Sequence, residues 1–277
     1  MTTSSSTNST NSTKTAWTGM VPVDDTALAV TDTGGPGIPV IYLNGSYASR
    51  RHWKRVIADL GSGYRHISFD ERARGRSKLS ADYSFEACVR DIDAVLAARG
   101  VDRALLVGWS YGALLGVHWA SRNPDRAVGV VGVDGPYPVG WTTDAEHEET
   151  RRVFRRMRPM LPLARRLGMA ARFSGELHVD VAIEAHLLHA ALVPVLEKVS
   201  VPVRYVVASG EALGSRDDLQ EQMRKTLDPL LVRNPNLKVG AKVTSNHGSI
   251  LRKDSPAVAG VVRELAASPR AQDRPGR

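Results

Sequence analysis

The chain carries a single cysteine, Cys88, so it can form no internal disulfide, and nothing points to an oxidising compartment. Its setting, an apolar position of SFEACVRDIDAVLAARG, reads as core packing rather than as a reactive thiol. The amino-terminal MTTSSSTNSTNSTKTAW lacks both the basic start and the apolar run of an export signal. Without that signal its N-S-T triplets carry little weight as glycosylation acceptors. No apolar stretch elsewhere reaches membrane-spanning length, so the expectation is a cytoplasmic chain that engages no membrane. Internal repeats are missing too. No nucleic-acid-reading motif accompanies the arginine-rich stretch between Arg151 and Arg172, which argues against a nucleic-acid partner. With a net charge of +8, that stretch is either a solvated helical face or a basic rim for an anionic substrate or carrier.

What is present is enough for a large core. Hydrophobic residues make up 42% of the 277 and charged residues 24%, the balance of a soluble globular protein. Compact apolar runs (IPVIYLNG, YRHISFD, ALLVGW, AVGVVGVD, VRYVVAS, LKVGAKV) alternate with amphipathic segments such as RRHWKRVIADLG and SFEACVRDIDAVLAARG. Near-continuous apolar strands separated by helices predict an α/β fold, a mostly parallel sheet covered on both faces. About residues 137–198 break the rhythm, being helical with no β run, and read as a cap inserted after the strand that ends at Asp134. The expected organisation is a core of residues 17–136 and 199–268, that cap, and disordered tails at 1–16 and 269–277. The segment ERARGRSKLS is expected to be a polar loop.

Gly108-Trp109-Ser110-Tyr111-Gly112 falls where the strand ALLVGW meets the helix YGALLGVHWASRNP. A serine in a tight strand-to-helix turn adopts a strained backbone, which requires small residues two positions away on either side. The turn exposes the hydroxyl and aims the first amides of the helix at the same space, where they can hold an anion. A lone G-x-S-x-G is weak, but the strand before and helix after make it specific. A serine hydroxyl needs a base at neutral pH, and His247 follows the last strand, just before the final helix. That position is the carboxyl edge of the sheet, where Ser110 also sits. Of the other histidines, His118 is expected to pack or cap within its helix, His52 and His66 lie in helix and strand, and His178, His186 and His189 belong to the cap. No metal-ligand spacing is evident.

The ordered set LNGSYA, FDERARGRS, GWSYG, VDGPYP and SNHGS resembles the capped α/β-hydrolase family over nearly the whole chain. The family's D-x-R-G-x-G-x-S loop corresponds to Asp70–Ser77, with Ala73 in place of a glycine. Its His-Gly oxyanion turn corresponds to Asn44-Gly45-Ser46-Tyr47, and the resemblance implies the backbone amides of Ser46 and Tyr111 as oxyanion donors. Asn44 replaces the usual histidine. The family most often places the triad acid in G-x-x-D after the strand VRYVVAS, but here that stretch is Gly210-Glu211-Ala212-Leu213. Some relatives place it at the end of the strand after the nucleophile helix, which here is Asp134, followed by Gly135-Pro136. Asp134 is the assigned acid, with Glu211 the alternative, then Asp217 or Asp218, or no acid at all; for Asp134 the competing reading is an Asx turn closing the strand.

The implied reaction is acyl transfer through an acyl-enzyme on Ser110, needing no cofactor and no metal. Epoxide hydrolases and haloalkane dehalogenases of this family need an aspartate nucleophile, so Ser110 argues against both. Carboxylic esters, lactones and thioesters are the expected substrates, anionic or amphipathic if the basic rim is used. Asn44, Tyr47, Trp109 and Trp141 are the expected pocket residues, in a monomer or homodimer. A biosynthetic thioesterase or cyclase, a C–C bond hydrolase, and a slow-turnover ligand receptor stand as alternatives.

Overall fold

The computed structural model describes residues 15–140, 142–166, 171–210 and 217–272. The described residues form eight strands, the six apolar runs preceded by two more: β1 (Trp17–Val23), β2 (Thr26–Asp32), β3 (Ile38–Leu43), β4 (Tyr64–Phe69), β5 (Ala104–Trp109), β6 (Ala127–Val133), β7 (Val203–Ala208) and β8 (Leu237–Val243). They make one sheet in the order β1-β2-β4-β3-β5-β6-β7-β8. β2 pairs antiparallel with β1 and β4, and every later neighbour is parallel.

Parallel neighbours need crossovers, and helices supply them. α1 (Lys54–Leu60), α2 (Phe85–Ala98) and α3 (Tyr111–Arg122) follow β3, β4 and β5 in turn. Between β6 and β7 stand α4 (Asp144–Met157), α5 (Leu161–Arg166), α6 (Gly175–Ala190) and α7 (Val193–Lys198). α8 (Asp217–Lys225) and α9 (Asp228–Arg233) precede β8, and α10 (Ile250–Lys253), α11 (Ser255–Ala266) and α12 (Pro269–Gln272) close the described chain.

The period-2 pleat sorts the strand residues onto two cores. Ile41, Leu43, Leu106 and Val130 pack on one face with residues of α2, α3 and α7. Val40, Tyr42, Leu105, Val107 and Val131 pack on the other with residues of α1 and α11. Each fully buried Val or Leu contributes about 1.5–3 kcal/mol, so these two layers dominate stability and hold the carboxyl edge of the strands in place. Cys88 lies in the first core, where burial pushes its thiol up to about 12.

The structure departs from the sequence reading in three places. At the two ends of the segment expected as a cap, Tyr137, Val139, Leu192 and Leu196 are buried in the main core. The tail does not lose structure at 269: α12 is held by Arg270, which donates to the carbonyls of Ala127 and Pro124. Residues 1–14 and 273–277 lie outside the described residues. Lastly, the segment expected as a polar loop is largely buried at its start. Arg72 is bound to Asp91 at 2.8 Å and to Asp24 at 2.7 Å, and the Ser77 hydroxyl accepts from the Ala29 amide at 2.8 Å. Ala73, which replaces the family glycine, has φ 59°, the left-handed region that favours glycine.

Candidate active site

Ser110 sits between β5 and α3 with φ 55° and ψ −116°, a backbone state costing about 1–3 kcal/mol that the surrounding packing must enforce. Its amide donates to the Val133 carbonyl at 3.1 Å, tying the turn to β6. A Cβ on Gly108 would collide with the Gly112 carbonyl, and one on Gly112 with the Leu43 carbonyl, so both positions require glycine.

Asp134 caps β6, with φ 45° and its amide donating to Val206 at 2.8 Å. Its side chain is buried and fully engaged. Oδ2 accepts from His247 Nδ1 at 2.8 Å, and Oδ1 accepts from the Tyr137 hydroxyl at 2.7 Å and the Ala208 amide at 3.2 Å. Arg224 of α8 adds longer contacts of 3.3 Å and 3.4 Å to the two oxygens. Burial opposes ionisation of this carboxyl. The hydrogen bond and charge of His247, the Tyr137 hydroxyl and the Arg224 charge outweigh that penalty and hold it below the usual carboxylate value.

His247 lies in the turn between β8 and α10, with the Trp109 ring packed 5.5 Å from its own. Ser110, Asp134, His247, Ser46, Tyr47 and Tyr111 line one cavity of about 460 Å³, a volume suited to a small molecule. Glu149, Thr150, Val153 and Phe154 of α4, and His178, Val181, Ala182, His186 and His189 of α6, form its other wall. Among the described residues neither the Ser46 nor the Tyr111 amide donates to a carbonyl in a turn or loop. Ser110 and the imidazole held by Asp134 face the same cavity, an arrangement that a bound substrate can tighten.

Two expected pocket residues do not line the cavity. Asn44 is fully buried at the start of the Asn44–Tyr47 turn: its amide and Nδ2 donate to Glu71, and its Oδ1 accepts from Trp53. Trp109 packs behind His247 because the residue before an exposed turn serine faces away from it. Trp141 and Glu211 lie outside the described residues, as do the side chains of Asp217 and Asp218. Tyr137, Arg224, Arg74 and His178 were missed by sequence reasoning. For Tyr137 a signal existed: three residues after Asp134, beyond Gly135-Pro136, it folds back on the carboxylate.

The arginines Arg151, Arg152 and Arg155 form a solvated face, each paired with Glu148 or Glu149 on the same exposed helix. His118 is buried against Phe85, and burial lowers it to about 4. Among the described residues no group of three or more His, Cys, Asp or Glu is placed to hold a metal. No helix there is long and apolar enough to cross a membrane.

A model of the alpha/beta hydrolase fold matches residues 38–178, about half of the chain, and the protein belongs to that family. A haloalkane dehalogenase of Mesorhizobium japonicum is 29% identical over 140 residues, 50% of this chain and 45% of that protein. Epoxide hydrolase B of Mycobacterium tuberculosis is 34% identical over 115 residues, 40% of this chain and 32% of its own length. The chain thus matches less than half the length of these curated relatives. Among solved structures, a thermophilic esterase from Thermogutta terrifontis superposes with a TM-score of 0.67 at 20% identity, covering 91% of this chain and 99% of that one.

Proposed function

We propose that the protein is a serine hydrolase that cleaves a carboxylic ester, lactone or thioester. Ser110 Oγ adds to the carbonyl carbon while His247 Nε2 takes its proton. The carbonyl oxygen becomes an oxyanion held by the amides of Ser46 and Tyr111. As the intermediate collapses, the bond to the leaving oxygen or sulfur breaks and the imidazolium returns its proton to that atom. Water, deprotonated by the same imidazole, then adds to the acyl carbon and releases the acid, restoring the serine. Asp134 fixes Nδ1 as the protonated nitrogen, leaving Nε2 free to accept, and stabilises the imidazolium.

One observation carries this reading: His247 Nδ1 stands 2.8 Å from the buried Asp134 carboxylate, in the cavity that the strained Ser110 also lines. The relatives' names include dehalogenase and epoxide hydrolase, but the family resemblance ties those chemistries to an aspartate nucleophile, and this chain has Ser110. The helices α4 and α6 act in this reading as a cap that shapes the acyl site.

The test is labelling with a fluorophosphonate, followed by a panel of short esters, lactones and acyl thioesters. Covalent capture of Ser110, with turnover abolished in Ser110→Ala, is the expected result. An unlabelled serine, or activity that survives Ser110→Ala, would overturn the mechanism. Tight ligand binding with negligible turnover would make the protein a receptor on this fold.

A further inference from the structure

Arg74 is a buried cation with two nitrogens that make no hydrogen bond. Its side chain is 7% exposed, it lines the cavity shared by Ser110 and Tyr47, and its Nε and Nη1 are buried without a hydrogen-bond partner among the described residues. Desolvated guanidinium groups are costly unless paired and hydrogen-bonded. Glu71 is its neighbour at 3.6 Å, beyond hydrogen-bond range, and that carboxylate is already occupied by the amide and Nδ2 of Asn44. The other charges around the cavity are committed elsewhere: Arg224 to Asp134 and Gln220, and Glu149 to Arg152. His178 lines the same cavity, 1% exposed, with its ring engaged by the Ala171 backbone. The Phe173 ring packs 4.3 Å from it, and burial lowers it to about 4, which keeps it uncharged at neutral pH.

We propose that Arg74 anchors a carboxylate carried by the substrate in addition to its scissile carbonyl. The enzyme would then act on half-esters of short dicarboxylic acids or on lactones with a pendant carboxylate. This rests on the hydrolase reading for the reaction but not for the binding. A carboxylate fits better than a phosphate, because the nearby Glu71 offsets part of a single guanidinium's charge and leaves too little for two negative charges on one group. The fork of N–H donors matches a carboxylate's two oxygens.

Monoethyl glutarate and ethyl pentanoate, matched in length, test it with the full chain in a pH-stat. The wild type is expected to prefer the anionic ester by about tenfold or more in kcat/KM, and Arg74→Met to erase that preference, as loss of a charge-assisted hydrogen bond implies. Glutarate binding to Ser110→Ala protein, read by calorimetry, gives an answer free of catalysis: Arg74→Met on that background is expected to weaken it at least about tenfold. Should the methionine variant fail to fold, Arg74→Lys is the readout, with binding weakened but retained. No wild-type preference, no glutarate binding, or binding unchanged by either substitution would overturn the anchor. Glutarate held by Arg74 with Ser110 inert to fluorophosphonate would leave the anchor and remove the hydrolase. Turnover of both esters with no dependence on Arg74 would do the reverse.

Discussion

Replace Asp134 by Asn, and the geometry dictates how the amide must sit. Oδ1 of the aspartate receives three donors, the Tyr137 hydroxyl at 2.7 Å, the Ala208 amide at 3.2 Å and Arg224 Nε at 3.3 Å. The asparagine oxygen must stay on that side, since an NH2 there would face the Ala208 N–H. The NH2 is then directed at His247 Nδ1, which now has to accept. An imidazole that accepts at Nδ1 carries its proton on Nε2 and cannot take one from Ser110. The same change in serine-protease triads costs about 10⁴ in kcat through the wrong tautomer, equivalent to about 5.5 kcal/mol of barrier. Initial rates on p-nitrophenyl butyrate, with circular dichroism to check folding, should show a loss of about 10³–10⁴. Activity within tenfold of wild type in a folded Asp134→Asn protein would refute the assignment of this carboxylate.

Three further outcomes follow from the same contacts. Tyr137→Phe removes a hydrogen bond to a buried anion and should cost about 1.5 kcal/mol in urea unfolding, near the lower end for charged partners because Ala208 and Arg224 remain. Arg72→Met leaves the fully buried Asp91 without its cation and should destabilise by about 3–5 kcal/mol, read as a lowered Tm. Burial disfavours ionised Asp32, but hydrogen bonds from Arg65 and Arg99 outweigh it and depress its pKa below 3.8. A depressed carboxylate adds stability that is complete above its unfolded pKa and is lost as pH falls through the folded value. Unfolding free energy should therefore drop at pH values below 3.8, less steeply in Asp32→Asn, as followed by urea titrations across that range.

The parts of the molecule legible in the sequence are those that local pattern determines. β5 running into α3 could be read because ALLVGW and the glycines flanking Ser110 encode a strand, a turn and a helix within a few residues. The position of Asp134 could be read as well, since it ends an uninterrupted apolar strand beside the one that leads into Ser110. Arg72 could not: its partners Asp91 and Asp24 lie 19 and 48 residues away, and a run of charged residues looks the same whether it is solvated or buried in pairs. Asn44 and Trp109 were placed in the pocket for being next to catalytic positions, but the pleat and the turn send their side chains behind it. Arg224 reaches Asp134 from a helix 90 residues on, which no spacing rule foretells.

The helix α4 has no buried side chain, yet Glu149, Thr150, Val153 and Phe154 contribute to the wall facing Ser110. Its residues are absent from both major cores, so rewriting that wall should leave the unfolding midpoint almost untouched. Ligand preference and scaffold robustness are consequently adjustable through separate sets of positions, and this helix is the place to diversify when a new specificity is wanted.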